Sequence, residues 1–172
     1  PRSTLFPYPT RFRSLEADFS RLHDPFLMTD MRQAVERVIQ ALEQKEAITV
    51  FCDYDVYGVT SAAFLTHFFR DLNCPVEAYL PERQSEGYGL NSDAVRKIRE
   101  RGAGLMITAD CGITGVKEVA LANEIGLDVI ITDHHQVGEE GLPPAIAVLN
   151  PHRSACEYPY RFLCGVGLAF KL

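Results

Sequence analysis

The segment from Ile48 to Ser61 constrains this chain more than any other. Five apolar or β-branched residues, Ile48 to Cys52, stop abruptly at Asp53 and Asp55, and Gly58 and the Thr60-Ser61 pair follow before an amphipathic run. An apolar run of that length, bounded by turn residues, predicts a buried strand, a loop and then a helix start. In an open parallel sheet, ligands bind just outside the C-terminal ends of the strands, so Asp53 and Asp55 stand where such folds keep their chemistry. Alternate residues of an extended segment point the same way, and the two carboxylates can converge on one cation.

The same alternation of apolar run and helical periodicity continues along the chain. Thr29 or Asp30 is a suitable N-cap for a helix carrying Met31, Val35, Val38, Ile39 and Leu42 at helical spacing. A helix over 62–72 and a strand over 76–80 follow the opening segment. A polar loop over 81–90 then leads to a helix over 93–101 capped by Asn91 or Ser92. A strand over 105–109 ends in Asp110-Cys111-Gly112, a helix spans about 116–125, and a strand over 129–132 ends in Asp133-His134-His135. A further short strand over 145–149 ends at Asn150-Pro151, and helical pattern resumes after Gly165. This succession predicts an α/β, Rossmann-like fold: a parallel sheet flanked by helices on both faces, with right-handed crossovers. Residues 1–28, punctuated by Pro7, Pro9 and Pro25 and carrying Arg2, Arg11, Arg13 and Arg21, are expected to be an N-terminal arm. Residues 29–172 are expected to form one catalytic domain, cut at its C-terminal end because the last helix stops without a cap.

Composition excludes several classes. The 172 residues carry a net charge of −6, which argues against a general electrostatic binder of nucleic acid but permits a site where metal ions neutralise phosphates locally. The cysteines, Cys52, Cys74, Cys111, Cys156 and Cys164, show no CxxC spacing, so neither a disulfide framework nor a thiolate zinc site is indicated. Cys52 and Cys111 read as small buried residues. No apolar run reaches the roughly 18–20 residues of a membrane span, and the N-terminus lacks the apolar core of a secretory signal. The expectation is a cytoplasmic protein with no membrane partner.

Taken singly, an aspartate after a strand is commonly a helix cap, and a lone histidine is commonly structural. Here three predicted strands end in Asp53 and Asp55, in Asp110, and in Asp133-His134-His135. Hard carboxylates with imidazole suit Mn²⁺, Mg²⁺ or Fe²⁺. Such a cluster at one sheet edge holds one or two ions that polarise a phosphoryl group and activate water.

The motifs Asp53-Tyr54-Asp55-Val56-Tyr57-Gly58-Val59-Thr60-Ser61, Glu86-Gly87-Tyr88-Gly89-Leu90-Asn91, Asp110-Cys111-Gly112-Ile113, Asp133-His134-His135, Asn150-Pro151 and Cys164-Gly165-Val166-Gly167 occur in the order of the DHH phosphoesterases. The chain most resembles the RecJ branch, exonucleases that degrade single-stranded DNA from the 5′ end in repair and recombination. The resemblance implies a phosphodiesterase using two Mn²⁺ ions, with Mg²⁺ as the alternative, in which activated water attacks a terminal phosphodiester in line. By the same resemblance Asp53, Asp55, Asp110 and His134 are metal ligands, with Asp110 bridging the ions, and His135 contacts the scissile phosphate. Asp55, Asp110, His134 and His135 are thus the expected catalytic residues, and Asp133 is expected to orient the histidine pair. Single-stranded DNA is the expected partner, together with repair proteins. Arg83, Arg11 and Arg13 are candidate phosphate contacts and Tyr88 a candidate stacking ring.

Two departures accompany the resemblance. Tyr57 stands where the motif has an aspartate, and a phenol with a pKa of about 10 is a poor ligand for a hard ion at pH 7. The chain also stops before the region that supplies a further acidic ligand and before the family's second domain. The alternatives are a DHH domain that keeps the fold as a DNA-binding or scaffold module, or a phosphodiesterase of small substrates. The small-substrate enzymes usually open with His-x-x-x-Asp-x-Asp, whereas Phe51 and Asp53 here fit the RecJ pattern better.

Overall fold

The computed structural model describes residues 18–82, 87 and 89–172; Arg11, Arg13, Arg83 and Tyr88 lie outside the described residues. After two short 3-10 turns, Phe19–Arg21 and Pro25–Leu27, the order is α1 (Met31–Gln44), β1 (Ala47–Cys52), α2 (Val56–Asp71), β2 (Val76–Tyr79), α3 (Ser92–Glu100), β3 (Ala103–Ala109), α4 (Val116–Glu124), β4 (Asp128–Thr132), β5 (Ala147–Leu149) and α5 (Gly165–Lys171). The strands form one five-stranded sheet, order β2-β1-β3-β4-β5, with every pairing parallel. This is the doubly wound order in which the crossovers reverse direction between β1 and β3, and the crevice there is the usual ligand site.

Strand alternation divides the core into two layers, as a period of two requires. Ile48, Val50 and Cys52 of β1, Leu105 and Ile107 of β3 and Ile130 of β4 pack with Met31, Ala34, Val38 and Ala41 of α1, Ala62, Leu65 and Phe69 of α2, and Leu168 and Ala169 of α5. On the other face Phe51, Met106, Val129 and Ile131 meet Ala94, Val95 and Ile98 of α3 and Val119 and Ala122 of α4. The α/β sheet with helices on both faces is as expected from the sequence.

Some element boundaries, and one expected cap, differ from the expectation. Helix α2 begins at Val56, well before residue 62, because the Asp55 side chain caps it by accepting from the backbone N–H groups of Tyr57 and Gly58. Gly58 permits that early start: a Cβ there would lie 2.3 Å from the Asp53 carbonyl oxygen. Strand β5 begins only at Ala147. Asp30 does precede α1, but in the left-handed region (φ 65°) and without a side-chain capping bond.

Asp30 instead secures β5. Its carboxylate accepts from the Val148 N–H at 3.1 Å and pairs with Arg153, whose Nη1 also donates to the Val148 carbonyl at 2.6 Å. The outermost strand β5 is thereby tied to the start of α1 and to the loop that follows it. Substituting Asp30→Ala leaves a strand N–H and a largely buried guanidinium without this acceptor, an expected cost of about 2 kcal/mol. Thermal unfolding should show a fall of about 4–8 °C in a domain of this size; an unchanged midpoint would mean that β5 does not depend on this tie.

Candidate metal centre

Register places the polar residues before any side chain is considered. Cys52 pairs with Ala109, Ala109 with Thr132, and Thr132 with Leu149. The next residue on each strand is therefore Asp53, Asp110, Asp133 and Asn150, side by side across β1, β3, β4 and β5. The ladder runs on through them: Asp53 N–H donates to the Ala109 carbonyl at 3.2 Å, Asp110 to Thr132 at 2.9 Å and Asp133 to Leu149 at 3.1 Å. All four side chains are buried.

Asp110 is the centre of this row. One carboxylate oxygen each from Asp53, Asp55 and Asp110 lies within 4.8 Å of the others, and the same holds for ligand atoms of Asp110, His134 and His135. Asp110 belongs to both groups. It adopts the left-handed conformation (φ 65°), followed by Gly112 at φ 105°, and the Thr108 hydroxyl holds this turn by donating to the Cys111 carbonyl at 2.8 Å. Both Asp110 oxygens are buried and, among the described residues, neither accepts a hydrogen bond, although His134 Nε2 lies 3.1 Å from Oδ1. Helix α5 presses on the same carboxylate: a Cβ on Gly165 would fall 2.2 Å from Asp110 Oδ1, so only glycine fits at that point.

Asp133 is used differently. Its Oδ2 accepts from Ile113 N–H at 2.9 Å, tying β4 to the turn that carries Asp110. Its Oδ1 accepts from His135 N–H at 3.0 Å and lies 2.7 Å from His135 Nδ1, which fixes the ring and leaves Nε2 facing away from it. The expected orienting role for Asp133 therefore applies to His135, while His134 turns toward Asp110. The two imidazoles lie 4.7 Å apart between centroids.

Asn150 was not singled out as a site residue by sequence reasoning. It is fully buried, its Nδ2 donates to the His135 carbonyl at 2.8 Å, and its Oδ1 accepts from His152 N–H at 2.7 Å. The available signal was its position directly after an apolar strand, as for the three aspartates.

The protonation pattern follows from this crowding. Burial, and then Asp55 beside it, push the Asp110 carboxyl up to about 7. Burial likewise raises Asp53, with Asp55 adding to the effect against the Tyr54 N–H that Asp53 accepts. His134 is lowered by burial and by the neighbouring His135. Burial opposes charge on His135 too, but the Asp133 hydrogen bond and charge outweigh it and its pKa is raised. Two buried carboxylates, Asp53 and Asp110, with the exposed Asp55 and an imidazole alongside, are a donor set that suits a hard divalent cation, which would supply positive charge among the acids.

The profile of the DHH family, N-terminal domain, matches residues 47–172. The chain belongs to the DHH family. Within it, the sequence is 48% identical over 157 residues to the single-stranded-DNA-specific exonuclease RecJ of Bacillus subtilis, covering 91% of this chain and 20% of that protein. It is 39% identical over 146 residues to RecJ of Escherichia coli, covering 84% of this chain and 25% of the relative. The fold superposes on a crystal structure of exonuclease RecJ bound to manganese with a TM-score of 0.75 at 33% identity, covering 84% of this chain and 36% of that one. RecJ of Thermus thermophilus with Mn²⁺ gives 0.68 at 31%, covering 84% and 20%. The chain thus spans about a fifth to just over a third of the length of these RecJ proteins.

The unpaired carboxylate has a measurable cost to the DHH domain without metal. Because the folded-state pKa of Asp110 is raised to about 7 from its ordinary 3.8, the folded chain holds this proton more tightly than the unfolded one. That contribution to stability is fully present below pH 4 and is lost as pH rises to about 7. In EDTA at pH 8, Asp110→Asn should raise the melting temperature by about 4–8 °C, corresponding to about 2 kcal/mol. Near pH 4 the gain should vanish. A lower melting temperature at pH 8 would show that the carboxylate is compensated within the protein itself.

Proposed function

We propose that this chain is the metal-binding part of a RecJ-type nuclease that hydrolyses single-stranded DNA from the 5′ end, and that it acts in the cytoplasm in repair and recombination. The observation that carries the reading is Asp110, shared by two ligand groups and lacking a hydrogen-bond partner for either oxygen among the described residues. On this reading Asp53, Asp55, Asp110 and His134 hold up to two Mn²⁺ ions, with Mg²⁺ as the alternative. The ions supply charge neutralisation at the phosphodiester and an activated water for in-line displacement.

The protein's own residues do the remaining work. Asp110, fixed by its turn and by Gly165, sets the spacing of the two ligand groups. Asp55 contributes one oxygen while the other caps α2, so the ligand cannot swing away without uncapping a helix. His135, held through Nδ1 by Asp133, presents Nε2 to the scissile phosphate and steadies the developing charge. Arg83, outside the described residues, is assigned to a flanking phosphate.

Tyr57 weakens the centre on this reading. It is the second residue of α2, half exposed, and its backbone N–H is already donated to Asp55. An aspartate there would add a carboxylate beside Asp55, whereas the phenol adds none. This one residue also favours a second reading, a DHH domain that binds DNA without cleaving it.

Mn²⁺ titration calorimetry on this chain and on Tyr57→Asp, with nuclease activity on 5′-labelled single-stranded DNA from the same samples, separates the readings. The aspartate is expected to tighten Mn²⁺ binding more than tenfold, which is over about 1.4 kcal/mol. Unchanged affinity would mean that position 57 points away from the metals. Absence of Mn²⁺ binding by both proteins would overturn the metal-centre assignment.

A further inference from the structure

We propose that Tyr160 and Phe162 are the platform on which bases of a single strand stack while its phosphodiester sits at the Asp53, Asp55 and Asp110 centre. The proposal rests on the single-stranded-DNA reading given above.

The loop from Pro151 to Cys164 joins β5 to α5. Its first half is anchored, because Cys156 and Tyr158 are buried in the core, and Tyr158 meets the His23 ring edge-on at 5.8 Å. After Pro159 the pattern reverses. Phe162 is 81% exposed and Tyr160 49% exposed, and the two rings lie 6.0 Å apart at 69°, so they hold each other in an edge-to-face pair in solvent. Two such rings side by side in solvent are more than the scattered apolar residues of an ordinary surface. Arg161 lies between them, exposed, with Nη2 3.5 Å from the Cys156 carbonyl.

Position supplies the function. Gly165, three residues beyond Phe162, touches the Asp110 carboxylate. Three residues span at most about 11 Å, so the Phe162 backbone lies no farther than that from the glycine that packs on Asp110. Two exposed rings with an exposed arginine between them in sequence match the sequence-tolerant way in which proteins hold single strands, by stacking on rings and pairing cations with phosphates. A folded protein partner would instead seek a continuous apolar surface, whereas these rings are interrupted by Arg161 and preceded by exposed Glu157.

The chain contains no tryptophan, so Phe162→Trp places a unique fluorophore on the platform. With oligo-dT in Mg²⁺, the emission of this variant is expected to be quenched on binding, with affinity close to that of the original chain. Tyr160→Ala and Phe162→Ala should each weaken oligo-dT binding about 5- to 100-fold, the range expected for one lost stacking contact. A strand of the same length built from abasic sites should bind the original chain as weakly as oligo-dT binds these variants. Mn²⁺ affinity should be the same in all four proteins. Oligo-dT binding without quenching, or alanine variants that bind like the original, would overturn the platform and leave the single-stranded-DNA reading standing. Loss of Mn²⁺ affinity in the alanine variants would also overturn it, by showing that the rings merely support α5. If oligo-dT fails to bind the original chain at all, the single-stranded-DNA reading itself falls.

Discussion

Everything chemical in this protein depends on parallel strands ending in register. Because β1, β3, β4 and β5 are paired so that Cys52, Ala109, Thr132 and Leu149 stand opposite one another, the following residues become one buried polar row. A slip of one residue on any strand would turn its apolar side chains to the wrong face, so the two hydrophobic layers that enforce register also enforce the row. Site geometry is in this sense a by-product of core packing. The sheet order places Asp53 and Asp110 on either side of the crossover switch point.

Concentrating carboxylates at that edge works against folding. The domain tolerates it by bracing the surrounding backbone rather than by neutralising the acids. The Thr108 hydroxyl, the Gly112 turn and the Ile113 amide bound to Asp133 together hold Asp110 in a left-handed conformation that non-glycine residues seldom adopt. Asn150 closes the row from the other side by securing the His135 carbonyl. If the row holds a cation, as proposed, its repulsion in the metal-free state would be relieved in the loaded one.

Much of this was legible in the sequence because the fold is built from short-range signals. Apolar runs ending in aspartate marked β1, β3 and β4, and helical spacing marked α1, α3 and α4. Asn91 was readable as a cap, and it does accept from the Ala94 N–H at 2.8 Å. The start of α2 is hard to place from sequence because Asp55 is at once a strand-end acid and an N-cap. What remained hidden was long-range. That Asp30 would serve β5, 118 residues away, rather than cap its own helix follows from no local pattern. That Gly165 must lack a side chain because Asp110 occupies the space is likewise a fact of packing.

The acids of the centre are distinguished by what their oxygens already do. Both oxygens of Asp133 are committed, to Ile113 and to His135, so its charge is spent on holding protein together. Asp55 commits Oδ1 to two amides of α2. Asp53 accepts the Tyr54 amide on Oδ1 at 2.7 Å. Asp110 alone of the four accepts no hydrogen bond among the described residues while being the most centrally placed. A buried carboxylate without donors is stable only protonated or beside a cation. Ranking the acids by uncommitted oxygens therefore places Asp133, committed to the fold, at one end and Asp110 at the other. Aspartates that share a place at the strand ends are thus set apart by the hydrogen bonds that their strands and turns bring to them.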